Sequence, residues 1–234
     1  MKKVTKNAIF EYKKDDSTLV IELARYIDDN AKRIYDFFEM NEGIEKPVIN
    51  IIQSKKKLDE IHRRFNDLDS TVDVPKWIIG FSSSDMQIYY LSLNDYKNTS
   101  HAFDKSDYDI QLISYKKTIL HEFIHYVNRY FCKINNCEFS SKFLAEGVAQ
   151  YLSKQNEGIV LNFNYSLDDI LNSNNCYNGW YLVIKYIIEK YPSKYVLDLL
   201  KDRNKAKQFL EKSYESIKEY YSKQVANYNS KNNI

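Results

Sequence analysis

The residues best suited to chemistry lie in the run His121-Glu122-Phe123-Ile124-His125. On a helix, the two histidines stand one turn apart and point the same way, so both imidazoles can bind one metal ion. Glu122 lies at the edge of that face, where its carboxylate can reach a water molecule held by the metal. Zinc lowers the pKa of such a water towards ~7, and a carboxylate that takes its proton lets it attack a carbonyl carbon. The run therefore predicts a catalytic metal site.

A catalytic zinc ion usually has three protein ligands and one open position, so a third ligand is needed. The segment 143–152 supplies Glu146, a carboxylate among mostly apolar neighbours, where an unpaired charge would be costly. The loop 132–140 allows this second helix to fold back on the first. Gln150, one turn after Glu146, can accept a hydrogen bond from the outer ring nitrogen of a ligand histidine. We predict one Zn²⁺ per chain, bound by the two histidines and Glu146.

These motifs resemble those of a known family. HEFIH, followed about twenty residues later by FLAEGVAQYL, resembles the gluzincin zinc peptidases, whose third ligand is a glutamate on the next helix. The Leu-x-Glu-Gly-x-Ala-x-Tyr form is similar to the collagenase-like and aminopeptidase-like members. The resemblance covers roughly residues 45–192. It implies an α+β zincin-like fold, in which an active-site cleft separates a small mixed-sheet lobe from a helical lobe.

The resemblance also implies hydrolysis of peptide bonds in a peptide or protein substrate. The sequence has no Gly-x-Met-Glu-Asn signature, which many aminopeptidase relatives use to hold a free amino terminus, and this favours an endopeptidase. Relatives often carry an oxyanion-stabilising tyrosine in the later helix; here it would be Tyr177, with Tyr181 one turn on as the alternative. In the shared fold an edge strand beside the zinc pairs with extended substrate. That strand would be 86–91 here, with substrate contacts at Gln87, Ile88, Tyr89 and Tyr90.

The elements that must position these residues follow from hydrophobic spacing. Apolar residues at helical intervals from Thr18 to Met40 predict a long amphipathic helix. Residues 47–53 have the pattern of a buried strand, and 77–81 with 86–91 predict a hairpin around a Ser-Ser-Ser-Asp turn. Further helices are predicted at 54–65, 111–131, 143–154 and 177–191, with shorter ones from 194 to 222.

This order of elements predicts a single domain over residues 1–226. A sheet-containing part would occupy about 1–110 and a helical part 111–226. The polar tail 227–234 is expected to fray.

Composition narrows the classes of function. Across 234 residues, 34 Lys and Arg against 32 Asp and Glu give a net charge of +2, too small a field for general nucleic-acid binding. No stretch reaches the ~18 uncharged apolar residues that a membrane span needs. Charged residues between 11 and 16 interrupt the apolar core of a secretory signal, so we expect a cytoplasmic protein. A secreted form whose leader has been removed would have the same pattern, and the oligomeric state is left open.

Other interpretations remain open beside the enzyme. The same residues would serve a non-catalytic zinc-binding scaffold for protein interaction. The basic cluster around His62 could contact nucleic acid, although such clusters are more typical of a solvated helix face. His101 lies in a polar stretch and is expected to be exposed. Cys132 and Cys137 could form half of a structural zinc site, but no second cysteine pair follows, so they and Cys176 are expected to be reduced thiols.

Overall fold

The computed structural model describes residues 1–41, 44–99, 108–158 and 162–231. Its strands are β1 (Lys2–Val4), β2 (Ile9–Glu11), β3 (Val48–Ile52), β4 (Gly80–Ser82) and β5 (Gln87–Leu91). Its helices are α1 (Ser17–Phe37), α2 (Lys55–Phe65), α3 (Leu93–Thr99), α4 (Tyr108–Ile134), α5 (Lys142–Ser153), α6 (Leu167–Asn172), α7 (Tyr177–Lys190), α8 (Ser193–Leu200) and α9 (Arg203–Lys231). The predicted α+β class is confirmed. The chain divides into two compact units, Met1–Arg129 and Tyr130–Ile234, and the division falls within α4.

The first unit contains a five-stranded mixed sheet in the order β1-β2-β3-β5-β4. β2, β3 and β5 run parallel to one another, while β1 and β4 are antiparallel to their neighbours. Residues of one face pair across the central strands, as in Ile49 with Ile88 and Ile51 with Tyr90. All four side chains are buried. This face therefore forms part of the hydrophobic core of the unit.

The predicted substrate strand is not an edge strand, and that prediction was wrong. β5 pairs with β3 on one side and with β4 on the other. The pairing extends beyond β4 at both ends, because the N–H of Ser83 donates to the carbonyl of Gln87 and the N–H of Leu91 to that of Ile79, each at 2.8 Å. The hairpin was predicted correctly, but it folds β4 over the side of β5 that a substrate would need. Gln87, Ile88, Tyr89 and Tyr90 thus cannot accept a further strand.

Helix α1 forms as its apolar spacing predicts. Its buried face consists of Val20, Leu23, Ala24, Ile27, Ala31, Ile34 and Tyr35. Tyr35 packs against Phe123 of α4, with ring centroids 6.2 Å apart. The carboxylate of Glu22 forms an ion pair with Nζ of Lys116 on α4, at 2.8 Å. These contacts hold α4 against α1 within the first unit.

Two buried tyrosines join α4 to the sheet. The hydroxyl of Tyr90 donates to the carbonyl of Tyr115 at 3.1 Å, and the hydroxyl of Tyr115 donates to the carbonyl of Leu91 at 2.7 Å. Their rings meet edge to face at 4.8 Å, and Tyr96 packs on Tyr115 in the same way at 5.2 Å. Because the hydroxyls of Tyr90 and Tyr115 each have an acceptor, their burial carries no penalty of an unmade hydrogen bond. The reciprocal bonds fix α4 relative to β5 shortly before the first histidine.

The second unit is built around the packing of α5 on α7. Gly147 lies at their closest approach, where a Cβ would stand 2.5 Å from the carbonyl oxygen of Trp180. Trp180 is completely buried, and its indole N–H donates to the carbonyl of Ile170 at 2.8 Å. The hydroxyl of Tyr221 on α9 donates to the carbonyl of Leu182 at 2.8 Å. Glycine at 147 is therefore required for the helix that carries Glu146 to lie this close to α7.

The structure differs from the sequence-based expectation at two further places. α3 occupies the start of the polar stretch that precedes His101, where no helix was predicted, and the expected exposure of His101 falls outside the described residues. α9 continues to Lys231, so residues 227–231 extend a helix where a frayed tail was predicted, and 232–234 lie outside the described part. Among the described helices, none combines the length and the apolar character needed to cross a membrane.

Candidate metal centre

Helix α4 carries the two histidines on a buried segment. His121, Glu122 and His125 are each less than a tenth exposed. Their neighbours Phe123 and Ile124 are completely buried, so the segment is enclosed by apolar side chains. A polar side chain in such a place costs free energy unless it is hydrogen-bonded or bound to a metal. The burial of these three polar side chains therefore indicates that they are hydrogen-bonded or that they bind a metal ion.

The imidazole rings of the two histidines lie close together. The Nε2 atoms of His121 and His125 are 3.0 Å apart, and their ring planes are nearly perpendicular at 79°. Two nitrogens bound to one tetrahedral zinc at about 2.0–2.1 Å would be separated by roughly 3.3 Å. The observed separation is within a few tenths of an ångström of that value. The pair is therefore arranged as two ligands of one ion would be.

Glu146 completes a group of three. One ligand atom from each of His121, His125 and Glu146 lies within 4.8 Å of the other two. In the part of the chain that the structure describes, it is the one group of three or more His, Cys, Asp or Glu side chains that could hold a metal ion. Two imidazoles and one carboxylate suit zinc and other divalent transition metals. The set of ligands predicted from the sequence thus comes together as a group that could bind a metal ion.

The charge of Glu122 acts on the buried Tyr90 of β5. Burial, and to a smaller extent the neighbouring Tyr115, Tyr96 and Glu122, raises the pKa of Tyr90 well above its usual value. Tyr90 consequently remains a neutral donor to the carbonyl of Tyr115. No described contact tests the role of Glu122 as a base, which stays a prediction.

The two candidate oxyanion tyrosines lie on α7. Tyr177 is the first residue of that helix, partly exposed, with its ring edge-on to Trp180 at 5.2 Å. Tyr181 is buried, and its ring lies 6.2 Å from that of Tyr151 on α5. Burial, opposed by the smaller effect of Lys185, raises the pKa of Tyr181 above its usual value. Tyr181 therefore remains a protonated donor at neutral pH, and the choice between the two tyrosines stays a prediction.

Gln150 belongs to an amide network that the sequence did not reveal. Nδ2 of Asn156 donates to Oε1 of Gln150 at 2.8 Å and to Oδ1 of Asn178 at 3.3 Å. Gln150 and Asn156 are both less than a tenth exposed. The oxygen predicted to accept from a ligand histidine thus accepts from Asn156. The chain contains many asparagines, so neither Asn156 nor Asn178 had a distinguishing signal in the sequence.

The basic helix α2 shows an ordinary amphipathic arrangement. Leu58 and Ile61 are buried, and Lys55 is paired with Asp59. The ring of His62 meets Phe81 edge to face at 5.1 Å. Burial, followed by the charge of Lys55, lowers the pKa of His62, so this residue adds no charge at neutral pH. The ion pair and the neutral imidazole reduce the positive field that a nucleic-acid contact would need.

No protein-family model, curated protein or solved structure matches this chain. Function is therefore inferred from the residues and their geometry.

Proposed function

We propose that the protein is a zinc-dependent peptidase of the gluzincin type, with endopeptidase activity. The observation that carries the proposal is the grouping of His121, His125 and Glu146, whose ligand atoms lie within 4.8 Å of one another. This grouping coincides with the HEFIH spacing, which places Glu122 between the two histidines on the same helix. A metal site with no catalytic purpose would not need a carboxylate at that position.

Each residue of the site has a separate role in the proposed reaction. Zinc, when bound, would polarise the substrate carbonyl and lower the pKa of a bound water to about 7. His121, His125 and Glu146 would hold the ion. Glu122 would accept a proton from the attacking water and pass it to the leaving amine. Glu122 is less than a tenth exposed, so bulk solvent has little access to its carboxylate.

We propose β4, in place of β5, as the strand that pairs with substrate. Among the described strands, β4 is the outer strand beside β5. The bonds of Ile79 and Ser83 to β5 fix the alternation, so the N–H and C=O groups of Gly80 and Ser82 point away from the sheet. An extended peptide can pair with these outward groups, and its alternate side chains can then be selected by pockets.

The proposal is tested by metal content and cleavage together. The purified chain should contain one zinc ion and cut peptides in a broad library, and a chelator should abolish cleavage. Glu122→Gln should retain zinc while losing turnover. A wild type that holds zinc but cuts nothing, while binding one protein partner intact, would instead favour the non-catalytic scaffold.

A further inference from the structure

The C-terminal end of α4 brings two of the three cysteines together. Asn136, two residues beyond the helix, has a left-handed backbone conformation with φ +50°. The N–H of Cys137 donates to the carbonyl of Cys132 at 3.0 Å, and the N–H of Asn136 donates to that of Lys133 at 3.3 Å. These two bonds form a Schellman motif, in which the side chains at the two ends of the longer bond commonly pack against each other. Here those side chains are both thiols.

The distances suit a covalent bond between them. The thiol of Cys137 donates to the carbonyl oxygen of Cys132 at 3.6 Å, and the Cys132 thiol is close enough to raise the pKa of Cys137. The two Cα atoms are linked through the C=O of Cys132, the 3.0 Å hydrogen bond and the N of Cys137. If all these atoms lay in one line, the Cα atoms would be roughly 7 Å apart. Ordinary bond angles shorten this distance into the range of about 4.4–6.8 Å that disulfides require. The backbone hydrogen bond therefore holds the two Cα atoms within the reach of a disulfide.

A structural metal is a poorer occupant of this place. Two sulfurs are half of the four ligands that a structural zinc site uses. Among the described residues, neither cysteine belongs to a group of three or more side chains that could hold a metal ion. The thiol of Cys132 also lies 3.8 Å from the hydroxyl of Ser140, which is not a usual zinc ligand. The pair of thiols is therefore better suited to redox chemistry.

We propose that Cys132 and Cys137 are an oxidation site at which a low-molecular-weight disulfide, such as oxidised glutathione, produces an intramolecular disulfide. Cys137 is partly exposed whereas Cys132 is buried, so Cys137 reacts first. Its thiolate attacks one sulfur of the small disulfide and expels one thiolate, leaving a mixed disulfide. The Cys132 thiolate then attacks the Cys137 sulfur and expels the second small thiol. The protein loses two electrons and two protons, and both pass to the two small thiols.

The surroundings make the reaction slow at neutral pH. Burial, followed by the adjacent Cys132 thiol, raises the pKa of Cys137 to about 11, against the smaller lowering effect of the Lys201 ammonium group. Because only the thiolate attacks, the rate should rise about tenfold per pH unit between pH 7 and 9. The buried Cys176, with a pKa also raised to about 11 by burial, serves as an internal reference thiol.

Trypsin separates the two cysteines, which makes the product easy to identify. Cleavage after Arg129, Lys133 and Lys142 yields YFCK with the first thiol and INNCEFSSK with the second. The folded full chain is incubated at pH 8.5 with oxidised glutathione and a metal chelator, then alkylated and digested. The expected result is a fall from three alkylatable thiols to one, a mass loss of two hydrogen atoms, and a cross-linked pair of these two peptides. Because the chelator is present throughout, the outcome does not depend on the proposed metal site.

Matched variants separate this proposal from nonspecific oxidation. Cys176→Ser should keep the cross-link at an unchanged rate, and Cys137→Ser should abolish it. In urea, the share of links that include Cys176 should rise, because the Schellman contact is then lost. The proposal is overturned if the folded chain keeps three thiols at pH 9, or stops at a stable glutathione adduct. It is equally overturned if the cross-links formed in the folded chain involve Cys176 or join two chains.

Discussion

Replacing Gly147 by alanine tests the close packing of α5 on α7 beside the proposed ligand Glu146. The added Cβ would lie 2.5 Å from the carbonyl oxygen of Trp180, 2.6 Å from Cγ1 of Ile184 and 3.0 Å from the carbonyl carbon of Trp180. Two of these atoms belong to the backbone, so relief requires α7 to move. Overpacking of a core typically costs about 1–3 kcal/mol, and a backbone collision belongs at the upper end. Alanine in place of glycine returns about 1 kcal/mol of helix propensity.

The expected net destabilisation is therefore about 2 kcal/mol. In a chain of this size it corresponds to a fall in Tm of about 4–8 °C. Thermal unfolding followed by circular dichroism provides the measurement, with a chelator present so that metal release does not contribute.

Gly179→Ala is the control substitution on α7. Its Cβ would meet Sγ of Cys176 and Cδ1 of Ile170 at 2.6 Å and Cγ of Tyr165 at 3.0 Å, all of them side-chain atoms rather than backbone. Rotation of these side chains, together with the gain in helix propensity, should leave Tm nearly unchanged. A Gly147→Ala protein at least as stable as the wild type would refute the close approach of α5 and α7.

The remaining predictions concern the proposed reaction. Glu122→Gln should keep zinc and the wild-type Tm but lower kcat by about 10²–10⁴, and near-normal turnover would exclude it as the base. Tyr177→Phe should lower kcat by about 10²–10³ with little change in KM, whereas an effect confined to Tyr181→Phe would assign the oxyanion role to that residue. Ser82→Pro removes an outward N–H from β4 and should raise KM for peptides. Its control, Ser84→Pro in the exposed turn, should leave KM unchanged. Equal KM values for the two variants would show that substrate does not pair with β4.

Local patterns were sufficient to predict the helices that matter most for the site. The apolar residues of α1 recur every three or four positions, and the two histidines of α4 are four positions apart. Both patterns are therefore visible in a short stretch of sequence. The hairpin of β4 and β5 was predictable for the same reason, since a short turn joins its strands. The grouping of Glu146 with the histidines was anticipated from the resemblance of the two motifs to gluzincins.

Strand order could not be predicted in this way. Whether β5 or β4 pairs with β3 depends on contacts between residues far apart in sequence, such as Asn50 with Tyr89. Both strands of the hairpin have similar apolar character, so composition does not identify the inner one. The burial of Tyr90 against Tyr115 decides the matter, and it depends on the position of α4. The erroneous edge-strand assignment followed from this nonlocal choice.

The length of α9 was also underestimated, for a different reason. Its sequence is polar and has little apolar periodicity over 203–231, which favoured short helices and a frayed end. Pairs one turn apart, such as Lys223 with Glu219 at 2.5 Å and Lys207 with Glu211 at 3.9 Å, add modest stability along its exposed face. Tyr221 fixes one point of the helix through its bond to the carbonyl of Leu182. Its other buried residues, Ala206, Phe209, Leu210 and Ile217, also precede residue 222, so the polar turns that follow had no apolar signal in the sequence.

X-ray absorption at the zinc edge of the zinc-loaded protein tests the central claim most directly. Ligation by His121, His125 and Glu146 predicts a first shell of nitrogen and oxygen at about 2.0–2.2 Å, with the outer-shell scattering of two imidazole rings and no sulfur. The Glu146→Ala protein should lose most of its zinc under the same conditions. A sulfur shell near 2.3 Å, the absence of imidazole scattering, or full zinc occupancy without Glu146 would contradict the proposed centre.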